Sequence, residues 1–290
     1  MFHKDQKTNI KILILFLVYF PSMVLVIWLF SFLINDALDW KILLILNPDA
    51  YIPFLDELAI LITDFSMYLF ATLGISYLIG YAIVKNHKSR KQIVSQTQLA
   101  IGITLGVIAA SAYFWAGYDL KVIFFGLALM IMGGFWLVSR CFTHLSAEKQ
   151  SELNDLLLVT LLAWTITALT GDVVIKNWVG RLRPLAHNEA ESPYYEQYLQ
   201  LRTISDEIVR SHYSYVSGHS STFFAFLTPA ILYSKKKYVK GGLFLWAAYH
   251  SFTRVYLAAH FPYCAFMGSL MGITYGIIVY HMFYISNNKT

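Results

Sequence analysis

From Ile10 to Ile34 the chain is almost unbroken apolar sequence, preceded by Lys4, Lys7 and Lys11. A helix that crosses a bilayer needs about 20 such residues, because at about 1.5 Å of rise each they span a hydrocarbon layer roughly 30 Å thick. The run is too long for the apolar core of a secretory signal and lacks a convincing small-residue cleavage site, so it is expected to remain as an anchor. Further blocks run from about Leu58 to Val84, Leu99 to Trp115, Val122 to Val138, Leu156 to Ile175, Thr222 to Tyr233, Gly242 to Tyr256 and Ala265 to Tyr284. The expected fold class is all-α: a polytopic membrane helix bundle of about eight spans, forming a single integral membrane domain over residues 1–290. Composition agrees. The chain is 57% hydrophobic and 13% charged, against roughly 45–50% and about 25% in soluble domains, which excludes an ordinary water-soluble enzyme.

Eight spans assign the loops alternately to two sides. One side collects Lys4, Lys7 and Lys11, then Lys85, Lys88, Arg90 and Lys91, then Arg140 and Lys149, then Lys235 to Lys240, then Lys289. By the positive-inside rule this side is cytoplasmic, with both termini on it. The other side receives an acidic loop (Asp36, Asp39, Asp49, Asp56, Glu57) and the one long polar stretch, Lys176 to Ser221. The net charge of +5 is thus explained by topology and predicts no nucleic-acid partner. The expected partner is the bilayer itself, and no protein partner is legible. Two cysteines, Cys141 and Cys264, fall on opposite faces and exclude a disulfide framework.

The outer loop, about 176–221, is where a membrane scaffold carries function. Its middle, Pro193 to Arg210, places Tyr194, Tyr195, Tyr198, Leu199 and Leu201 among acids and reads as an interfacial helix. Lys176 and Arg183 are seven apart, so on a helix stopped by Pro184 both project from one face toward one anion. The alternative for this pair alone is two snorkelling interface cations. Ser217-Gly218-His219 immediately precedes an apolar span, so Ser217 reads as an N-cap whose first-turn amides face an anion, with Gly218 allowing close backbone approach. Arg254 and His260 sit beside Pro262 at the outer end of another span. Together these residues supply three fixed positive charges, two histidines and a helix N-terminus, a phosphate trap holding both a nucleophile and an acid.

The three segments resemble the signature of the type 2 phosphatidic acid phosphatase superfamily: Lys-x6-Arg-Pro at Lys176 to Pro184, Ser-Gly-His at 217–219, and Arg-x5-His at Arg254 to His260. The resemblance implies a six-span phosphatase-type core, so a helical hairpin at about 97–140 is expected to be an insertion. It also implies a metal-independent lipid phosphate phosphatase with no cofactor. His260 would be the nucleophile, His219 the acid, and Lys176, Arg183, Arg254, Ser217 and Gly218 the phosphate holders. The implied substrate is a membrane lipid carrying a phosphate or diphosphate monoester at the outer face, and the alternatives are a lipid phosphotransferase or a catalytically impaired lipid-phosphate-binding protein.

Two positions depart from the pattern. Val216 replaces a proline, and Cys264 replaces the aspartate that would accept a hydrogen bond from the nucleophilic histidine. A glucose-6-phosphatase branch also resembles the Arg-Val-Tyr-Leu-Ala-Ala-His-Phe-Pro run without that aspartate. The group orienting His260 is then either a backbone carbonyl or a more distant acid, with Asp172 the candidate. Arg181 is a further candidate for the pocket, and His187, His212, Tyr213 and Tyr215 are candidates for reading a headgroup.

Overall fold

The computed structural model describes residues 6–47, 52, 54–56, 58–60, 62–63, 146–202 and 213–285. The expected hairpin at 97–140, and all but the start of the expected span at 58–84, lie outside the described residues. The chain divides into two compact units, Met1–Phe65 with Asn154–Thr290, and Ser66–Leu153. Every group of the candidate site belongs to the first.

Among the described residues the chain is helical, with no strand and one isolated bridge, between Leu182 and Tyr213. Among the described residues three helices are long and apolar enough to cross a membrane: Ile10–Ser31, Asp155–Val179 and Pro262–Ile285, of 22, 25 and 24 residues. These fit a membrane protein. The first helix, α1, is assembled from Gln6–Ile14, a π-helical Leu15–Tyr19 and Phe20–Ser31. Pro21 lies just after the π turn, where its ring and missing N–H would break a regular ladder. Helix α2 (Asp36–Leu46) follows, with the Asn35 side chain accepting from the Leu38 amide and Asp36 and Asp39 in the first turn, where the helix dipole favours acids.

Helix α3 comprises Ala147–Ala168, a π-helical Leu169–Ile175 and Lys176–Val179. Helices α4 (Gly218–Tyr233) and α5 (Lys237–Tyr256) take in the two short apolar blocks at 222–233 and 242–256 and extend them to 16 and 20 residues. The turn between them exposes Lys235, Lys236 and Lys237. Helix α6 (Pro262–Val279) continues as a π-helical Tyr280–Ile285.

The packing that positions the site is the crossing of α4 on α6. Gly268, Gly272 and Gly276 fall every four residues along α6, and the α4 backbone lies directly against them. A Cβ on Gly268 would come within 2.6 Å of the Ser217 carbonyl oxygen, and one on Gly272 would strike the Ser221 carbonyl and stand 2.9 Å from the Ala225 nitrogen. Small residues at this spacing let two helices approach until backbone meets backbone, the usual solution where no hydrophobic force separates helix from lipid. Hydroxyl groups tie the third helix in: Ser251 of α5 donates to Ser220 of α4 at 2.8 Å and lies 3.1 Å from Ser269 of α6. On α3, Thr170 meets Tyr275 of α6 at 2.8 Å.

A polar clasp closes the far end of α5. Arg202 forks onto buried Asp56 at 2.6 and 2.9 Å, and the Tyr256 hydroxyl donates to the same carboxylate at 2.6 Å. Asn47, just after α2, donates to the Tyr256 carbonyl at 2.7 Å and accepts from the Arg202 amide at 2.9 Å. Hydrogen bonding from Arg202 holds the Asp56 carboxyl below its usual range, so the pair is ionised near neutral pH.

Candidate active site

Four helix ends carry the residues singled out from the sequence. Lys176 stands in the last turn of α3, Ser217 and Gly218 begin α4, Arg254 is in the last turn of α5, and His260 lies in the short link before α6. Main-chain bonds sew these ends together. The Ser214 amide donates to the Arg181 carbonyl at 2.7 Å and the Ser217 amide to the Cys264 carbonyl at 3.0 Å.

Lys176 and Arg183 do not share a helix, contrary to their seven-residue spacing. Gly180, at φ 64°, ends α3 in the left-handed conformation that glycine takes at no steric cost. The chain beyond is extended, with Arg183 at ψ 157° before the single 3-10 turn Pro184–Ala186. Arg183 is buried, and its fork donates to the Tyr213 carbonyl at 3.1 Å and the Ala259 carbonyl at 3.3 Å, bridging the second and third segments. Burial lowers its guanidinium to about 10, so it remains a cation at neutral pH.

At the end of α5 the chain reverses through Ala258, at φ 52°, and the Ala259 and His260 amides both donate to the Arg254 carbonyl at 3.0 Å. A left-handed alanine costs about 1–2 kcal/mol, and here it caps α5 and turns the backbone from Arg254 toward His260. The His260 ring is fully buried. Its Nδ1 lies 2.8 Å from the Ser214 carbonyl oxygen, and its Nε2 has no hydrogen-bond partner. Because a carbonyl only accepts, Nδ1 carries the proton and Nε2 keeps its lone pair. Burial, together with the charges of Arg183, Arg254, Lys176 and His219, pushes the imidazole well below its ordinary pKa. Those four side chains therefore lie within electrostatic reach of one ring.

Ser217 caps α4, accepting from the Ser220 amide at 3.4 Å and the Ser220 hydroxyl at 3.0 Å. His219 is half-buried in the first turn, its ring 6.0 Å from that of His250. A nucleophilic imidazole nitrogen, three cations and a helix N-terminus thus share one end of the packed helices, an arrangement suited to holding a tetrahedral oxyanion and attacking it.

Residues 155–288 match the PAP2 superfamily. The match covers 134 of the chain's 290 residues. No curated protein and no solved structure matches the chain. The family is one of phosphatases acting on phosphate esters, and the match supports a phosphoric monoester hydrolase.

Within the PAP2 segment three expectations are revised. Asp172 does not orient His260: its carboxylate pairs with Lys176, one turn along α3, and lies against Gly218, where an added Cβ would collide with it. The Ser214 carbonyl has the orienting place instead. Arg181 does not join the cationic pocket. It donates to Asp39 at 2.7 Å, to Asp36 at 2.6 Å and to the Cys264 sulfur at 3.1 Å, with its guanidinium 4.0 Å above the Phe261 ring. Tyr215 is fully buried, its hydroxyl donating to the Ile27 carbonyl at 2.8 Å, and so is not placed to read a headgroup. His187 is likewise folded inward, against Trp40 and Tyr194.

Of the expected interfacial helix, one turn is present, Tyr195–Tyr198, while 203–212 lie outside the described residues. The residues missed by sequence reasoning are Ser214, which acts through a main-chain oxygen, and Asp39, which reaches the site only through another residue. Neither carries a local signal. The glycine stripe of α6 did, in its four-residue spacing.

Proposed function

We propose that this PAP2 protein is a metal-independent lipid phosphate phosphatase, hydrolysing a phosphate or diphosphate monoester of a membrane lipid at the outer face through a phosphohistidine. The observation that carries the reading is the lone, buried Nε2 of His260 amid Lys176, Arg183 and Arg254. In the first step the Nε2 lone pair forms the N–P bond, the bond from phosphorus to the lipid oxygen breaks with its electron pair, and His219 gives that oxygen a proton. Water then attacks phosphorus, His219 accepts its proton, and the N–P bond breaks to release inorganic phosphate. The cations and the α4 amides hold the equatorial oxygens, where charge is spread in the transition state.

A lipid tail remaining in the bilayer suits a site at the helix ends, and the basic loops argue for the face opposite the cytoplasm. The test is phosphate release in detergent, with excess EDTA, from phosphatidate, phosphatidylglycerophosphate, an isoprenyl diphosphate and lipid A. Activity in at least one, its loss in His260→Ala and an acid-labile phosphoenzyme in wild type are expected. Equal activity in His260→Ala, or loss in EDTA restored by magnesium, would refute the mechanism. The neutral carbonyl behind His260 favours a second reading, a binding protein of reduced catalytic power, which predicts retention of lipid phosphate without turnover.

A further inference from the structure

Between α2 and the start of α6 lies a buried charged group that the reaction above does not use. Arg181 is clamped by two carboxylates, Asp39 at 2.7 Å and Asp36 at 2.6 Å. Asp39 is buried and also accepts from the Tyr263 amide at 2.9 Å, while Asp36 is partly exposed and accepts from the Tyr194 hydroxyl at 3.3 Å. Two carboxylates on one guanidinium leave a net negative charge. Burial pushes the Asp39 carboxyl up, and the Tyr263 amide and Arg181 pull it back toward the ionised form.

The group is connected to the nucleophile. Arg181 donates to the Cys264 sulfur at 3.1 Å, the Ser214 hydroxyl donates to the same sulfur, and Ser214 holds His260 through its carbonyl at 2.8 Å, with its hydroxyl oxygen 3.3 Å from Nδ1. The Arg181 carbonyl additionally fixes the Ser214 amide at 2.7 Å. The charged or titratable groups that act most strongly on the buried ring, Arg183, Arg254, Lys176 and His219, are cationic or become so. The imidazole acquires positive character as its N–P bond forms, and a neutral carbonyl compensates that charge poorly.

We propose that Asp39 and Arg181 are positioning residues for His260: with Asp36 they supply, one residue further back and through Cys264 and Ser214, the negative charge that a carboxylate at position 264 would supply directly. The proposal rests on the phosphohistidine reading. It makes α2, far upstream of the three signature segments, part of the catalytic apparatus.

The experiment compares wild type, His260→Ala, Asp39→Asn, Arg181→Lys and the double variant Asp39→Asn/Cys264→Asp for phosphate release from the best lipid phosphate of the panel, reading kcat and KM separately. Asn at 39 keeps an oxygen for the Tyr263 amide and replaces the oxygen that faces Arg181 with an NH2, so it removes the charge together with the Arg181 contact. Asp39→Asn should lose about 10–100-fold in kcat, the range typical of a supporting shell, with KM changed by less than about 3-fold. Arg181→Lys should show the same split, because one ammonium cannot bridge Asp39 and the sulfur together.

In the double variant a carboxylate stands at the sulfur's place, and kcat should recover at least about 10-fold over Asp39→Asn. A purely structural tether predicts no such rescue. Wild-type kcat in both Asp39→Asn and Arg181→Lys, or a double variant no faster than the single, would overturn the proposal while His260→Ala remained inactive and the phosphatase reading stood. Turnover surviving in His260→Ala would overturn both.

Discussion

The Nδ1–H of His260 donates to the main-chain oxygen of Ser214 at 2.8 Å, a neutral acceptor. A carbonyl and a carboxylate set the same tautomer, since both only accept, but the carbonyl brings no charge. With Arg183, Arg254, Lys176 and His219 acting on the buried ring, its protonated form is doubly disfavoured. His260 should therefore be neutral at pH 6.5 in the unliganded protein, ready to attack. Histidine NMR in detergent, assigned with His260→Asn, should place its titration below 6.5, and a midpoint at or above that value would contradict the geometry.

Gly218→Ala should reduce phosphate release by about 5–150-fold, the equivalent of the 1–3 kcal/mol typical of overpacking. The added methyl collides with the Asp172 carboxylate that pairs with Lys176. Shortening the obstacle should help: Gly218→Ala/Asp172→Ala should be faster than Gly218→Ala alone. A single variant with unchanged activity would show that the N-terminus of α4 and Asp172 are not in contact.

Gly272→Ala should destabilise the helix packing by about 1–3 kcal/mol, because its Cβ meets main-chain atoms of Ser221 and Ala225 that cannot rotate away. Thermal unfolding in detergent measures this. Gly241→Ala is the control, since a Cβ there meets nothing within 4 Å, and equal midpoints for the two variants would refute the close crossing.

Asp56→Asn should cost about 1.5–3 kcal/mol, the usual contribution of hydrogen bonds to a charged group, because half-buried Arg202 loses the carboxylate it forks onto. The sign with pH follows from the direction of the shift. The Asp56 carboxyl lies below its ordinary 3.8 when folded, so its stabilisation is complete above that value and fades as pH falls through the lower folded pKa. Wild type should lose stability on acidification in that window, and Asp56→Asn should lose less.

The helical class and the membrane character were legible from local sequence. Apolar runs such as Ile10 to Ile34 report the solvent they are built for, and Ser217 before an apolar run reports a helix start, because both are properties of a few consecutive residues. The seven-residue spacing of Lys176 and Arg183 misled because Gly180 ends α3 between them in a left-handed turn. Of the Pro193 to Arg210 stretch, the described residues hold one helical turn, Tyr195–Tyr198.

Sequence alone determined which side chains bring charge and titratable groups, since those are fixed by residue type. Only the tertiary structure decided what stands behind them. Ser214 serves through a main-chain oxygen that every residue possesses, Asp172 turns to Lys176, and Asp39 meets Arg181 from α2 across more than a hundred residues of chain. Backbone acceptors carry no residue-specific mark, and partners separated so widely meet only when helix packing, here the close approach of α4 to the glycines of α6, has set the ends of the helices side by side.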